Sequence, residues 1–296
     1  MIDLPFFSII TPVYNRADLV SETIESVLNQ DFKNYELILI DDGSTDNSVE
    51  VITDYVKNDS RIKLITLDSN KGRCIARNIG IENAKGNWIC HLDSDDLFYT
   101  NHLSHFYKVI HENPSFNAFA VNQNLNHILV KDGIAGLDKD QTIWTIEHFI
   151  ENNPLTANQL CYSTQIPIKW ANERIPISED WLFMRNLVIN TPILKFSEVT
   201  VNLRDHDNRT VQLKDEDGVD DFVKFNIYTA NKFIDDNKID QSIKNRIISH
   251  TLLLCCNVYL SNKFKKKAIP LFLQSLKFFK TYQYRLFYKA ILKFLS

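Results

Sequence analysis

Residues 35–46 read Tyr35-Glu36-Leu37-Ile38-Leu39-Ile40-Asp41-Asp42-Gly43-Ser44-Thr45-Asp46, an aliphatic and β-branched run that halts at two carboxylates and a glycine. The run predicts a strand over 36–40, and the polar cluster behind it predicts a turn into a helix. Gly43 lets backbone come close to a ligand, and a carboxylate at a strand end can accept hydrogen bonds from a ligand N–H or hydroxyl. The same cluster also reads as a plain Asx turn in which Thr45 or Asp46 caps the next helix.

Working outward, similar runs predict strands over 6–11, 63–67 and 87–92. Between them Val20, Ile24, Val27 and Leu28 fall on one helical face, as do Val51, Ile52, Tyr55 and Val56. Strands alternating with amphipathic helices predict an α/β fold whose mostly parallel sheet is covered by helices. In such sheets ligands gather beyond the carboxyl ends of the strands, where residues 11–16, 41–46 and 93–96 all fall. From about 117 to 205 the pattern is mixed, with strands expected over 118–121, 127–130, 193–196 and 200–204 and a helix starting near Ser178. Beyond about Gly218 the spacing is helical, over 222–234, 243–260 and 268–295. The expected organisation is one α/β domain over 1–218, with halves 1–98 and 99–218, followed by a helical region over 219–296.

The 296 residues carry a net charge of -4, which argues against a surface coated in cations for nucleic acid. The start has Asp3 in place of a basic leader, and the richest apolar stretch, 247–260, includes Ser249, His250, Thr251 and Asn257. Neither a secretory signal nor a membrane span is expected, so the chain is assigned to the cytoplasm. Five cysteines with no CxxC pairing read as reduced packing residues. The seven glycines form neither GxGxxG nor GxxxxGK[ST], which removes dinucleotide and Walker-type phosphate loops.

Two further clusters carry chemistry. His91-Leu92-Asp93-Ser94-Asp95-Asp96-Leu97 sets three carboxylates directly after an apolar strand. Carboxylates so close repel one another unless a cation sits among them, and oxygen ligands suit Mg²⁺ or Mn²⁺. The alternative is a solvated acidic turn capping the helix expected near Thr100. Ile177-Ser178-Glu179-Asp180-Trp181-Leu182-Phe183 places two more carboxylates at a helix start, where they also make an ordinary acidic first turn.

The order Phe7-Ser8-Ile9-Ile10-Thr11-Pro12-Val13-Tyr14-Asn15-Arg16, then residues 36–46, then Asn70-Lys71-Gly72 with Ala76-Arg77-Asn78-Ile79-Gly80, then Asp93-Ser94-Asp95-Asp96, resembles glycosyltransferase family 2. The resemblance covers about residues 5–210. It implies a GT-A fold and an inverting transfer of sugar from a nucleotide-diphosphate donor, UDP by default, to an acceptor hydroxyl. By the same resemblance Thr11, Pro12 and Tyr14 line base and ribose, Asp42 meets the base edge, and Arg73 or Arg77 faces the nucleotide or its phosphates. Asp93 sits against ribose and metal, Asp95 is the main ligand of Mn²⁺ or Mg²⁺, and Asp96 stands behind them. Asp180 is the implied catalytic base, with Glu179 beside it. Arg204-Asp205-His206 resembles the family's late Arg-x-His segment, whose His206 completes the metal shell or bonds the diphosphate.

From Lys263 onward nine Lys and Arg residues occur without one Asp or Glu, interleaved with aromatic and aliphatic residues. That pattern suits the anionic face of a bilayer, and also a basic helix pair packed on its own protein. The expected partners are thus a nucleotide sugar, a glycan or lipid-linked glycan acceptor of surface polysaccharide synthesis, and an anionic membrane surface, without nucleic acid. Two competing readings are a sugar-phosphate nucleotidyltransferase and a catalytically silent sugar-nucleotide scaffold. The first calls for a glycine-rich, basic loop after the first strand, where Thr11–Arg16 stands instead.

Overall fold

The computed structural model describes residues 4–125, 128–129, 141–151, 153–205, 215–278 and 284–295. Contacts divide the chain into two compact units, one of residues 1–145, 154–175 and 187–207, the other of 146–153, 176–186 and 208–296.

The first unit opens with the alternation expected: β1 (Phe7–Val13), α1 (Val20–Leu28), β2 (Tyr35–Asp41), α2 (Ser48–Asn58), β3 (Ile62–Thr66), α3 (Arg73–Asn83) and β4 (Trp88–His91). β1 and β2 are buried at every residue, as strands covered on both faces must be. There follow β5 (Leu97–Phe98), α4 (His102–Glu112), β6 (Ala118–Leu125), β7 (Ile128–Leu129), β8 (Gln141–Trp144), β9 (Leu160–Ser163) and, later in the chain, β10 (Ile193–Leu203). Among the described residues they form one ten-stranded sheet, with main order β3-β2-β1-β4-β9-β6-β10-β5. β3, β2, β1 and β4 run parallel, whereas β9 pairs antiparallel with both β4 and β6. The fold is therefore α/β with a mixed sheet.

β5, β8 and β9 were not foreseen, and two of the expected stretches differ in extent. The strands foreseen over 193–196 and 200–204 are a single strand, β10, because register shifts against β6 absorb Ser197-Glu198 as a bulge. The strand foreseen over 127–130 is described only at Ile128–Leu129, as β7.

The core lies between the sheet and α1, α2 and α4, where Val20, Ile24 and Val27 of α1 and Leu103, Phe106 and Val109 of α4 meet Phe7, Ile9, Leu37 and Leu39. On the other face α3 comes so close that a Cβ on Gly80 would stand 2.4 Å from Ile10 Cγ2. Substituting Gly80 by alanine must therefore displace the helix or the Ile10 and Ile40 side chains beneath it.

His102 gives this core a pH dependence. Its ring stacks on Phe98 at 3.6 Å between centroids, and its Nδ1 lies 2.8 Å from Thr200 Oγ1. Burial, with the neighbouring His105, lowers its pKa from 6.5 to about 3. The folded state therefore excludes a proton that the unfolded chain takes up. The associated stability is complete above about pH 6.5 and is lost as pH falls toward 3, by at most about 1.4 kcal/mol per pH unit. His102→Asn should flatten the change in urea midpoint between pH 7 and pH 5, and an unaltered slope would refute this account.

The second unit contains α5 (Ile146–Phe149), the first part of α6 (Glu179–Asn190), α7 (Glu216–Asp236), α8 (Gln241–Ser261), α9 (Lys265–Leu276) and α10 (Tyr284–Leu295). Asp215 and Asp240 cap α7 and α8 through their side chains. Val219, Val223, Cys255, Cys256, Ala268 and Ala290 bring four of these helices into one apolar cluster. All five cysteines of the chain are free thiols and buried. Among the described residues no helix is long and apolar enough to cross a membrane.

Candidate active site

Beyond the carboxyl ends of β1 and β2 the two loops are stitched together. Asn15 adopts φ 51°, a left-handed conformation that asparagine tolerates better than most residues. Its Oδ1 accepts the Thr45 N–H at 2.8 Å, and its own N–H donates to Ser44 Oγ at 2.9 Å. The N–H groups of Arg16 and Ala17 donate to Ser48 Oγ and Asp46 Oδ2 at 2.8 and 3.0 Å. Asp46 also accepts from Ser48 N–H at the start of α2, so the Asx-turn geometry is present together with the loop contact.

Asp42 is 3% exposed, and both its oxygens are engaged. Oδ1 accepts Lys71 N–H at 2.7 Å and Oδ2 accepts Gly72 N–H at 2.8 Å, latching the 70–72 loop onto the end of β2. Burial pushes its pKa up in spite of those two bonds and the nearby Arg174 charge. Gly43, at φ 72°, is fixed by the same approach, since a Cβ there would lie 2.6 Å from the Ser69 carbonyl carbon. The neighbouring Asp41 keeps Oδ2 on Ser44 N–H at 3.1 Å, while its Oδ1 and the Thr11 Oγ1 are buried with no hydrogen-bond partner. Thr11, two residues inside the end of β1, and Asp41, at the end of β2, thus each keep a buried oxygen that the protein leaves unsatisfied. Pro12 is buried beside them in β1, and Tyr14 stands exposed in the loop beyond.

α3 starts at Arg73, directly after Gly72, and places Arg77 one turn later. Arg77 is 1% exposed, lies 4.2 Å over the Trp170 ring and donates to Asp93 Oδ1 at 2.7 Å. Asn78 fixes Trp170 by a reciprocal pair of bonds, 3.0 Å to its carbonyl and 2.8 Å from its N–H. Burial opposes ionisation of Asp93, but the guanidinium groups of Arg77 and Arg73 more than offset it and hold the carboxyl below its ordinary value. Asp93 is thus an anion with part of its carboxylate, 29% of the side chain, still open.

The acidic turn after β4 has an inner and an outer side. Asp96 is buried and consumed by protein, with Oδ1 accepting Arg204 N–H at 2.9 Å and Oδ2 accepting Asn158 Nδ2 at 2.6 Å. Asp95 faces outward and pairs with Arg16 at 3.2 Å. Arg204, at the end of β10, clamps the turn: Nε donates to the Asp95 carbonyl at 2.5 Å, Nη2 to Leu19 O and Thr23 Oγ1 at 3.0 Å, and Nη1 pairs with Glu22 at 3.1 Å. Thr23 Oγ1 in turn contacts the carbonyl oxygens of Ser94 and Asp96, both at 3.0 Å. Removing one partner from a network this dry leaves others unpaired. Arg204→Ala should accordingly lower stability by about 2–4 kcal/mol in urea unfolding, and a loss below about 0.5 kcal/mol would show that the clamp carries nothing.

Among the described residues no three His, Cys, Asp or Glu side chains converge on a point that could hold a metal. The donor set that is present, the outer carboxylates of Asp93 and Asp95, nevertheless fits a divalent ion of the Mg²⁺ or Mn²⁺ kind. Such ions are commonly held by one or two carboxylates and completed by water and substrate phosphates.

Glu179 and Asp180 stand in the second unit, at the first turn of α6. Ser178, just before them, has φ 67°, a conformation that serine rarely adopts and that clusters at functional turns. The turn is anchored from behind: Trp181 Nε1 and Arg185 Nε donate to the Phe149 carbonyl at 2.8 and 2.9 Å, and Arg185 Nη2 to the Ile150 carbonyl at 2.9 Å. The Arg185 guanidinium also lies 4.0 Å over the Trp181 ring. Glu179 is buried, and Asp180 is half-buried.

The structure therefore gathers Thr11, Pro12, Asp42, Arg73, Arg77, Asp93, Asp95 and Asp96 at one edge of one sheet. His206 lies outside the described residues. The sequence reading gave no role to Asp41, Asn158, Trp170 or Arg204. Asp41 and Arg204 sit inside quoted motifs, whereas nothing local marks Asn158 or Trp170, which arrive from more than 60 residues away in the chain.

Comparison with known proteins bears on the fold and the family. The staphylococcal protein TarS, in a crystal structure of residues 1–349 with UDP-GlcNAc, superposes with a TM-score of 0.69 at 21% identity, over 96% of this chain and 79% of that one. The mannosyltransferase PcManGT of Pyrobaculum calidifontis, in complex with GDP-Man and Mn²⁺, gives 0.63 at 14% identity, over 99% and 81%. These likenesses show the GT-A fold. The putative teichuronic acid biosynthesis glycosyltransferase TuaG of Bacillus subtilis is 42% identical over 99 residues, 33% of this chain and 39% of that protein. Across three other curated relatives the chain covers between 17% and 40% of their length. The model of glycosyl transferase family 2 matches residues 8–165, more than half of the chain and all of the sheet edge described above except Trp170, Arg174 and Arg204, and the chain therefore belongs to that family.

Proposed function

We propose that the protein is an inverting glycosyltransferase that moves a sugar from a nucleotide-diphosphate donor, UDP-linked by preference, onto an acceptor hydroxyl in surface polysaccharide synthesis. The observation that carries this reading is the sheet edge at which Asp42 latches the 70–72 loop that leads into α3, Arg77 and Arg73 of α3 hold Asp93 as an anion, and Asp95 follows in the same acidic turn. The arginines and carboxylates suit a diphosphate with its counter-ion. TuaG supports the polysaccharide setting by its description, and the TarS complex with UDP-GlcNAc supports the donor class.

In this mechanism Asp93 and Asp95 hold Mn²⁺ or Mg²⁺, with His206 a further ligand or a donor to the diphosphate. The cation these residues would hold would supply positive charge against the leaving nucleoside diphosphate. Arg77 orients Asp93, and Arg73 adds positive charge where the phosphates lie. Asp180 accepts the proton of the acceptor hydroxyl while its oxygen attacks the anomeric carbon from the side opposite the phosphate. The electron pair of the breaking carbon–oxygen bond leaves with the diphosphate, and one displacement inverts the centre without a covalent enzyme intermediate. The acceptor in this reading is a lipid-linked glycan at the anionic inner face of the cell membrane.

A thermal-shift screen of nucleotides with Mn²⁺ tests the donor reading, because a ligand that binds only the native state raises the melting temperature. At 100 to 1,000 times the Kd of UDP, UDP and UDP-sugars should stabilise by about 2.7–4.1 kcal/mol, and GDP and dTDP at the same concentrations by less. Equal or absent shifts for all three bases would remove the UDP assignment.

A further inference from the structure

Among the described residues eleven large hydrophobic side chains are exposed, and five of them belong to α9 and α10. On α9 they are Ile269, Leu273 and Leu276, which are 47%, 57% and 44% exposed. Their spacing of four and then three residues puts them on one stripe of the helix. This stripe is not the packing face. Ala268 and Ser275 are buried and Phe272 rests against Phe287 and Phe294 at 5.2 and 5.3 Å, on a face turned about 100° away. α9 therefore has one apolar face inside its own unit and a second that meets solvent.

Cations border the second face. At 100° per residue, Lys266 and Lys277 fall along one flank of the stripe and Lys265 lies at its amino-terminal end. These three lysines are exposed and have no acidic partner among the described residues, whereas Lys267, on the packing side, is paired with Glu216 and Asp220. The charge is not balanced locally either, since residues 241–296 contain no Asp or Glu at all. On α10, Tyr288 and Leu292 are exposed one turn apart beside the exposed Lys289.

We propose that the outward face of α9, Ile269, Leu273 and Leu276 flanked by Lys265, Lys266 and Lys277, lies in the headgroup region of an anionic bilayer. An exposed aliphatic stripe has no use for a phosphate backbone, which sets nucleic acid aside, and unbalanced lysines beside it match anionic headgroups above an acyl layer. At 12 residues α9 is too short to span, so it lies in the plane of the surface. The inference rests on the proposed function only for its purpose, the approach to a lipid-linked acceptor. The surface itself is argued from α9.

The test is flotation of the full chain with vesicles of phosphatidylcholine alone, or with about a third phosphatidylglycerol, at about 0.1 M salt. The wild type should bind the anionic vesicles at least about tenfold more tightly than the neutral ones. Leu273→Glu with Leu276→Glu should lose at least about tenfold of that binding, and Lys266→Glu with Lys277→Glu a comparable amount, with unchanged circular dichroism and melting temperature. The inference is overturned if the wild type ignores anionic vesicles or if the leucine variant binds as the wild type does. It is also overturned if light scattering shows a dimer that the leucine variant dissolves while vesicle binding is absent, which would give the face to a second copy of the chain. Donor turnover without vesicles keeps the two readings apart. It should be equal in wild type and both variants, and its absence in a wild type that still floats would fail the transferase reading alone.

Discussion

Asp95→Asn should lower sugar transfer by about a thousandfold while leaving the protein folded. The two halves of that expectation come from different contacts. Asp95 pairs with Arg16 at 3.2 Å in the acidic turn, and asparagine keeps its size and one acceptor oxygen, so the packing of the turn survives the loss of charge. The turn itself is held by Asp96, Asn158 and Arg204, none of which the substitution touches. In the proposed mechanism the substitution removes one of the two anionic oxygen donors that would hold a divalent ion against the leaving diphosphate. Transfer rates with saturating Mn²⁺, together with Mn²⁺ affinity by isothermal calorimetry, check it. A variant that keeps more than a tenth of wild-type transfer would dismiss Asp95 as the main ligand.

The second large effect is expected at Asp180. Asp180→Asn should reduce kcat by about 10²–10⁴ and leave donor affinity unchanged, because a general base acts on the acceptor proton and not on nucleotide binding. The adjacent Glu179→Gln provides the contrast. Glu179 is buried, so its substitution should act on the stability of the α6 start more than on the chemical step. The anchoring of this turn by Trp181 and Arg185 on the Phe149 and Ile150 carbonyl groups holds the Asp180 backbone in place in both variants. If Asp180→Asn weakens UDP binding and spares kcat, Asp180 belongs to the donor site and another group takes the proton.

These expectations rest on a site that was partly legible before any coordinates. The runs around Ile38, Ile9 and Ile89 announced strands because aliphatic and β-branched residues fill a sheet covered on both faces, and that preference is local. The carboxylates of the 41–46 and 93–96 clusters were equally visible, since each stands within a few residues of a strand end. β9 was not visible. Leu160–Ser163 is four residues without alternation, and its place between β4 and β6 is set by pairing with strands about 40 to 70 residues distant. β10 was read as two strands because Ser197 and Glu198 interrupt the apolar pattern, and only the register against β6 shows them as a bulge.

The amino-acid order by itself determined the α/β alternation, the family to which the first 165 residues point, and the strand ends that carry acid and base, because each depends on neighbours a few positions away. The tertiary structure alone decided what each carboxylate does. Adjacent residues leaving a strand end up in different surroundings, so Asp42 is spent on the Lys71–Gly72 loop while Asp41 keeps an unbonded oxygen, and Asp96 turns to Asn158 and Arg204 while Asp95 faces outward. A hydrogen bond is settled by which distant segment arrives within about 3 Å, and that is a property of the packed chain, not of any window of its sequence.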